Sequence, residues 1–161
     1  MLPEALKDYP VAAAIEAFDS AAITGGHAER GELSLDIDPG RILPVCRFLR
    51  EQEAFIRLSS VTATDWHPAE PRFRVVYHLH SLERNLRVRL KCAVSGDNAE
   101  IDSVVAVWPG AAWYEREVFD LFGVGFRNHP NLTRILMPDN WEGHPLRKDY
   151  PVHGYKYSYK D

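Results

Sequence analysis

At 161 residues, with 45% hydrophobic and 26% charged side chains, the chain has the size and composition of one ordinary globular domain. Its net charge of −4 is uneven: residues 1–40 hold eight acids and two bases, and the remainder holds 15 acids and 17 bases. That balance excludes a basic nucleic-acid footprint, and no run approaches the ~18 apolar residues of a membrane span.

The N-terminus carries neither a secretory nor a transit pattern, so a cytosolic location is expected, with any membrane association through partners. Residues 2–18 read as helical, with Pro10 an interruption or a fresh first-turn position. Gly25, Gly26 and Gly31 read as punctuation. Leu33, Leu35 and Ile37 then alternate with Glu32, Ser34, Asp36 and Asp38, which predicts a half-buried strand. Asp38-Pro39 suits the cap and first turn of a helix reaching about Gln52, although Pro44 sits awkwardly inside it. Residues 56–64 predict a strand that pairs with the next segment. There, Phe73, Val75, Tyr77 and Leu79 oppose Arg72, Arg74, His78 and His80. After a polar turn, Leu86, Val88, Leu90, Cys92 and Val94 oppose Arg87, Arg89 and Lys91. This is the alternation of an antiparallel hairpin with one face on a core and one in water.

Ser95 to Asn98 form a turn, and around Ser103 a capped helix and a strand both remain open. Residues 111–122 predict a helix, with Ala112, Glu115, Phe119 and Phe122 on one stripe and Tyr114, Val118 and Leu121 beside it. Gly123 ends that helix in the left-handed region. From Arg127 onward no period survives. The expectation is an α+β two-layer fold, helices packed on a mainly antiparallel sheet, over residues 1–126. Residues 127–161 are expected to form an irregular, extended, partner-binding tail.

The chemistry-bearing residues point away from catalysis. Cys46 and Cys92 share no CxxC spacing and read as buried apolar groups; two thiols fall short of the four that an iron–sulfur cluster usually takes. Glu115 and Glu117 lie ~200° apart on a helix and cannot form an acid–base dyad. Arg116 and Asp120 are spaced to pair on the helix surface. His129, His144 and His153 lie near Asp139 and Glu142 without metal-ligand spacing, and His78 and His80 read as solvated. Gly123-Val124-Gly125 follows a helix instead of opening one, the wrong context for a phosphate loop. No catalytic, cofactor or metal residue is therefore assigned. What remains is PDNWEGHPLRKDYP (138–151), an aperiodic strip with Trp, Tyr and Arg anchors, stiffened by Pro145 and Pro151, which suits a protein–protein interface.

The run WYEREVFDLFG (113–123), followed by His129-Pro130, Arg134-Ile135-Leu136 and GHPLRKDYP (143–151), resembles the thirty-kilodalton-type subunit of proton-pumping NADH:quinone oxidoreductase, respiratory complex I. The resemblance implies a non-catalytic subunit of the hydrophilic arm with no cofactor of its own. Iron–sulfur clusters and FMN in partner subunits would carry electrons from NADH to quinone, coupled to proton translocation. It implies a tail embracing the forty-nine-kilodalton-type and PSST-type subunits, which line the quinone cavity. The twenty-three-kilodalton-type subunit is a further candidate neighbour. It also implies a peripheral position on the cytoplasmic side of the cell membrane. Equivalent subunits of membrane-bound hydrogenases and ferredoxin-dependent complexes share the motif, so that alternative stays open. On this basis Glu115, Arg116 and Glu117 are expected to fix the tail or a partner loop. Asp120, His129, Arg134, Trp141, Arg147, Lys148, Asp149 and Tyr150 complete the expected interface. A stand-alone flavin or quinone oxidoreductase and an adaptor outside any respiratory complex are the rivals; a flavin spectrum and co-purification would separate them.

Overall fold

Pro10 opens the first helix, α1 (Pro10–Phe18), where its missing N–H has no intrahelical partner to lose. The structure is a computed structural model describing residues 3–154. The expected helical start at Leu2 and the last seven residues of the 127–161 segment lie outside the described residues. Before α2 (Ile42–Glu51) a 3-10 turn, Pro39–Arg41, is capped by Asp38, whose carboxylate accepts the Gly40 N–H at 2.8 Å. Pro44 is the third residue of α2, still within the first turn where N–H groups are orphaned, so it fits the helix without breaking it. The third helix, α3 (Ala111–Phe122), ends at Gly123 with φ 72°.

Five strands form one sheet: β1 (Ile23–Glu29), β2 (Glu32–Ile37), β3 (Arg57–Asp65), β4 (Phe73–Ser81) and β5 (Leu86–Val94). Their order is β1-β2-β5-β4-β3, antiparallel except for the β2–β5 pair. The alternation read from the sequence sets the hairpin register: Phe73 faces Val94, Val75 faces Cys92, and Tyr77 faces Leu90. This inner row is buried with Val11 and Ile15 of α1, Val45 and Leu49 of α2, and Val118 and Phe122 of α3. The helices therefore share one face of the sheet, and arginines, lysine and polar groups line the other. Both cysteines are fully buried in this core, and burial pushes both thiols up, away from the reactive thiolate. The architecture is the expected two-layer α+β fold.

Around Ser103 a short strand ends at Asp102, and the Ser103 hydroxyl then accepts the Val105 N–H at 3.2 Å at the start of a turn. A short β6 (Glu100–Asp102) runs parallel to β7 (Gly125–Arg127), and Arg127 reaches back to Asp102 at 2.8 Å and Glu100 at 3.3 Å. Two expectations are corrected. Gly25 and Gly26 lie inside β1 instead of punctuating a loop. A Cβ on Gly26 would stand 2.6 Å from the Ser34 carbonyl oxygen, so glycine there permits close strand approach where the residue type argues against a strand. His80 is buried, not solvated: β4 is flanked by strands on both edges, and His80 lies in register between Arg57 and Arg87.

Candidate functional site

The last four carbonyls of any α-helix lack intrahelical donors, and at α3 every one of them has a partner. Gly123 N–H donates to Phe119 O at 2.8 Å, which its left-handed backbone allows. His144 Nδ1 donates to Asp120 O at 2.9 Å, and Leu146 N–H donates to Leu121 O at 3.0 Å. Arg147 Nε donates to Phe122 O at 2.5 Å, and its guanidinium lies 5.3 Å from the Phe73 ring centroid. A cation at the negative end of the helix dipole adds to this cap. The 143–147 segment thus serves as the C-cap of α3.

Asp120 holds the preceding loop. Its fully buried carboxylate accepts Arg134 Nη1 at 2.7 Å and the backbone N–H groups of Ile135, Leu136 and Met137 at 3.1, 2.8 and 2.8 Å. Burial alone would raise its pKa, but the Met137 amide, Arg134 and the other two amides outweigh burial and hold it below the usual carboxylate range. Arg134 also donates to Gly143 O at 2.9 Å, joining the loop to the cap. The expected Arg116–Asp120 pair is not formed. Asp120 takes Arg134 instead, while Arg116 donates to the carbonyls of Thr133 and Arg134 at 3.0 and 2.9 Å.

A third anchor sits on the sheet. Asp65, at the inner end of β3, accepts Arg72 Nε and Nη2 at 2.9 and 2.8 Å, and the Lys148 N–H at 2.8 Å. Arg72 then bridges to Asp149 at 2.6 and 3.1 Å. Burial opposes ionisation of Asp65, yet Arg72 and the amides of Lys148 and His67 hold its carboxyl far below normal, and Asp65 and Asp149 hold Arg72 firmly protonated.

Glu115 lies in the core. It accepts the Ser103 hydroxyl at 2.6 Å and the Val104 N–H at 2.7 Å, tying α3 to the turn after β6. Burial pushes its pKa up to about 7 against those two bonds. His129 stands 3.9 Å away; its Nδ1 accepts the Asn131 N–H, so Nε2 carries the proton and donates to Ala112 O at 3.1 Å. Glu117 is exposed. Trp141 is half-buried with its indole nitrogen out of contact with any acceptor among the described residues, and Tyr150 donates to Glu142 O at 3.4 Å.

Of the expected interface residues, Asp120, Arg134, Arg147 and Asp149 converge on one function, fastening residues 133–149 to the chain's own body. The strip expected to bind partners takes these hydrogen-bond partners from the chain itself. The α3 carbonyls and two buried carboxylates supply them. Asp65 and Arg72 were not identified from the sequence. The signal was there: Asp65 continues the inward parity of Val61 and Ala63, and an acid on a core face needs a partner. It follows that Arg147→Ala should destabilise the isolated chain, by about 2–4 kcal/mol, because a carbonyl and an aromatic face are left bare. Gly123→Ala should cost a similar amount. A Cβ there would meet His144 and Arg147 at 2.5 Å, in a left-handed backbone. Urea unfolding of both variants checks this.

Among the described residues no three His, Cys, Asp or Glu side chains gather as a metal ion would require, and no helix is long and apolar enough to cross a membrane. A cleft of about 410 Å³ lies at the strand ends beside Tyr9, Leu33, His78 and Arg87, away from these anchors.

Fold and site together define an α+β domain whose irregular C-terminal strap is built onto its last helix. The chain belongs to the family described as "Respiratory-chain NADH dehydrogenase, 30 Kd subunit", which matches residues 35–156. It is 48% identical to the C subunit of NADH-quinone oxidoreductase from Citrifermentans bemidjiense, over 78% of each chain. It is 45% identical to the corresponding C subunit from Roseiflexus castenholzii, over 92% of this chain and 86% of the relative. Among solved structures, the trypsin-resistant fragment of Nqo5 aligns with a TM-score of 0.59 at 29% identity, covering 63% of this chain and 83% of the fragment. A chain of the archaeal membrane-bound sulfane sulfur reductase aligns with a TM-score of 0.75, also at 29% identity, covering 86% and 82%.

Proposed function

We propose that the chain is a cofactor-free structural subunit of the hydrophilic arm of NADH:quinone oxidoreductase, peripheral on the cytoplasmic side of the membrane. Its contribution to electron transfer from NADH to quinone, coupled to proton translocation, is positional. It presents a rigid strap to the forty-nine-kilodalton-type and PSST-type subunits, and so keeps their clusters and quinone site in register. The twenty-three-kilodalton-type subunit is a further neighbour. The observation that carries this reading is how the motif's charges are used. Asp120, Arg134 and Arg147 make bonds to backbone groups of the strap and helix end, which fixes a shape instead of assembling reacting groups. The two buried thiols are in keeping with clusters and FMN residing in other chains.

The likeness to the sulfane sulfur reductase chain favours one second reading, the equivalent subunit of a related membrane complex with another electron donor. Affinity purification of the tagged chain from detergent-solubilised native membranes separates them. Co-purification of both quinone-cavity subunits with NADH-dependent quinone reduction is the expected result. Recovery of a complex that does not oxidise NADH would favour the second reading, and recovery of no complex would sink both.

A further inference from the structure

One stripe of α3 runs from exposed Trp113 through half-buried Arg116 to buried Asp120, spaced three and four residues apart and so aligned on one face. The strap loop runs along it: Arg116 holds the carbonyls of 133 and 134, and Asp120 holds the amides of 135–137. The result is a continuous patch about 10 Å long. Its two apolar members are strongly exposed, Trp113 at 62% and Leu136 at 60%. Between them the Arg116 guanidinium lies 5.3 Å from the Trp113 ring centroid. Arg116 bonds only neutral carbonyls, and among the described residues no carboxylate stands within ion-pair distance of it.

Each feature has an ordinary explanation alone, since single exposed apolar residues are common. Their conjunction is not ordinary. A Trp braced by a guanidinium and a Leu on a loop pinned by five bonds have already lost much of their freedom, which lowers the entropy cost of association. Trp and Arg are also the residue types that dominate binding energy at interfaces. Trp66 is likewise exposed beneath a guanidinium, that of Arg74, so what sets Trp113 apart is the strap loop fastened to the same helix by Arg116 and Asp120.

We propose that Trp113, Arg116 and Leu136 form a docking patch for another subunit of the same complex, which supplies an apolar segment for Trp113 and Leu136 and a carboxylate for Arg116. The charge argument selects the occupant: a desolvated guanidinium needs an anion, and the described residues offer none there. The inference rests on the complex-subunit reading above.

The test uses the tagged full chain expressed with its native partners. With Trp113→p-benzoylphenylalanine, irradiation should give one cross-link to a different subunit, mapped by mass spectrometry to an apolar segment containing Asp or Glu. Trp113→Glu and Leu136→Glu should each lower recovery of the complex about tenfold or more. The isolated variants should melt within roughly 2 °C of the parent, because both positions are exposed. A cross-link to a second copy of this chain, a mapped segment without a carboxylate, or wild-type recovery of both variants would overturn the patch while leaving the subunit reading intact. Failure of the parent chain to recover any respiratory subunit would overturn both.

Discussion

Replacing Asp120 by alanine is expected to release the strap from α3 and to cost about 3–5 kcal/mol, the range for removing one partner of a buried charge pair. Four donors converge on this carboxylate: Arg134 would keep the carbonyls of Gly143 and Asp120, but three consecutive amides would lose their acceptor together. The effect should be partly local. Helices and sheet retain their core, while the 131–147 segment becomes susceptible to limited proteolysis. Asp120→Asn should fall between parent and alanine, since one carboxamide oxygen can still accept but its NH2 faces donors. Thermal unfolding gives the total cost, and mapping the first proteolytic cut locates it.

The second large effect concerns Glu115 and pH. Its folded pKa, about 7, lies above its ordinary 4.5, so between these values the folded chain binds a proton that the unfolded chain has lost. Its stabilising contribution is fully present below about pH 4.5 and is lost as pH rises through 7, with a total of about 3 kcal/mol. Asp65 and Asp120 work in the opposite sense. Their folded values are depressed, so their contribution is present above the ordinary 3.8 and is lost as the medium becomes more acidic. Glu115→Gln should therefore flatten the decline between pH 5 and 7.5. The amide oxygen keeps the Val104 N–H, and the Ser103 hydroxyl can turn to accept. Glu115→Ala should instead destabilise at every pH, leaving that N–H and hydroxyl bare. Urea titrations of parent and variants at the two pH values make the comparison, and taking the difference removes contributions common to both.

The parts of this molecule that repeat were readable in its sequence. Alternation along residues 73–79 and 86–94 gave the central hairpin and its inner face, because a half-buried strand must sort apolar from polar side chains every second residue. Asp38-Pro39 and Gly123 marked helix ends because capping chemistry is local. Strand β1 was hidden because Gly25 and Gly26 are poor strand formers, accepted for closeness to Ser34 and not for propensity. The motif charges stood out as a cluster, but residue type does not reveal which backbone groups a carboxylate will meet. The aperiodic strip therefore carried no sign that Asp120, Asp65 and the end of α3 take up its donors. Those bonds cross 14 to 83 residues of sequence, a separation no local pattern encodes.

Hydrogen–deuterium exchange of the isolated chain tests most directly whether its own carboxylates shape the strap. The amides of Leu136, Met137, Leu146 and Lys148 should exchange far more slowly than free peptide, and Asp120→Ala should selectively release Leu136 and Met137. Exchange of all four at the rate of an unstructured peptide in the parent, with slowing only inside the assembled complex, would contradict the account.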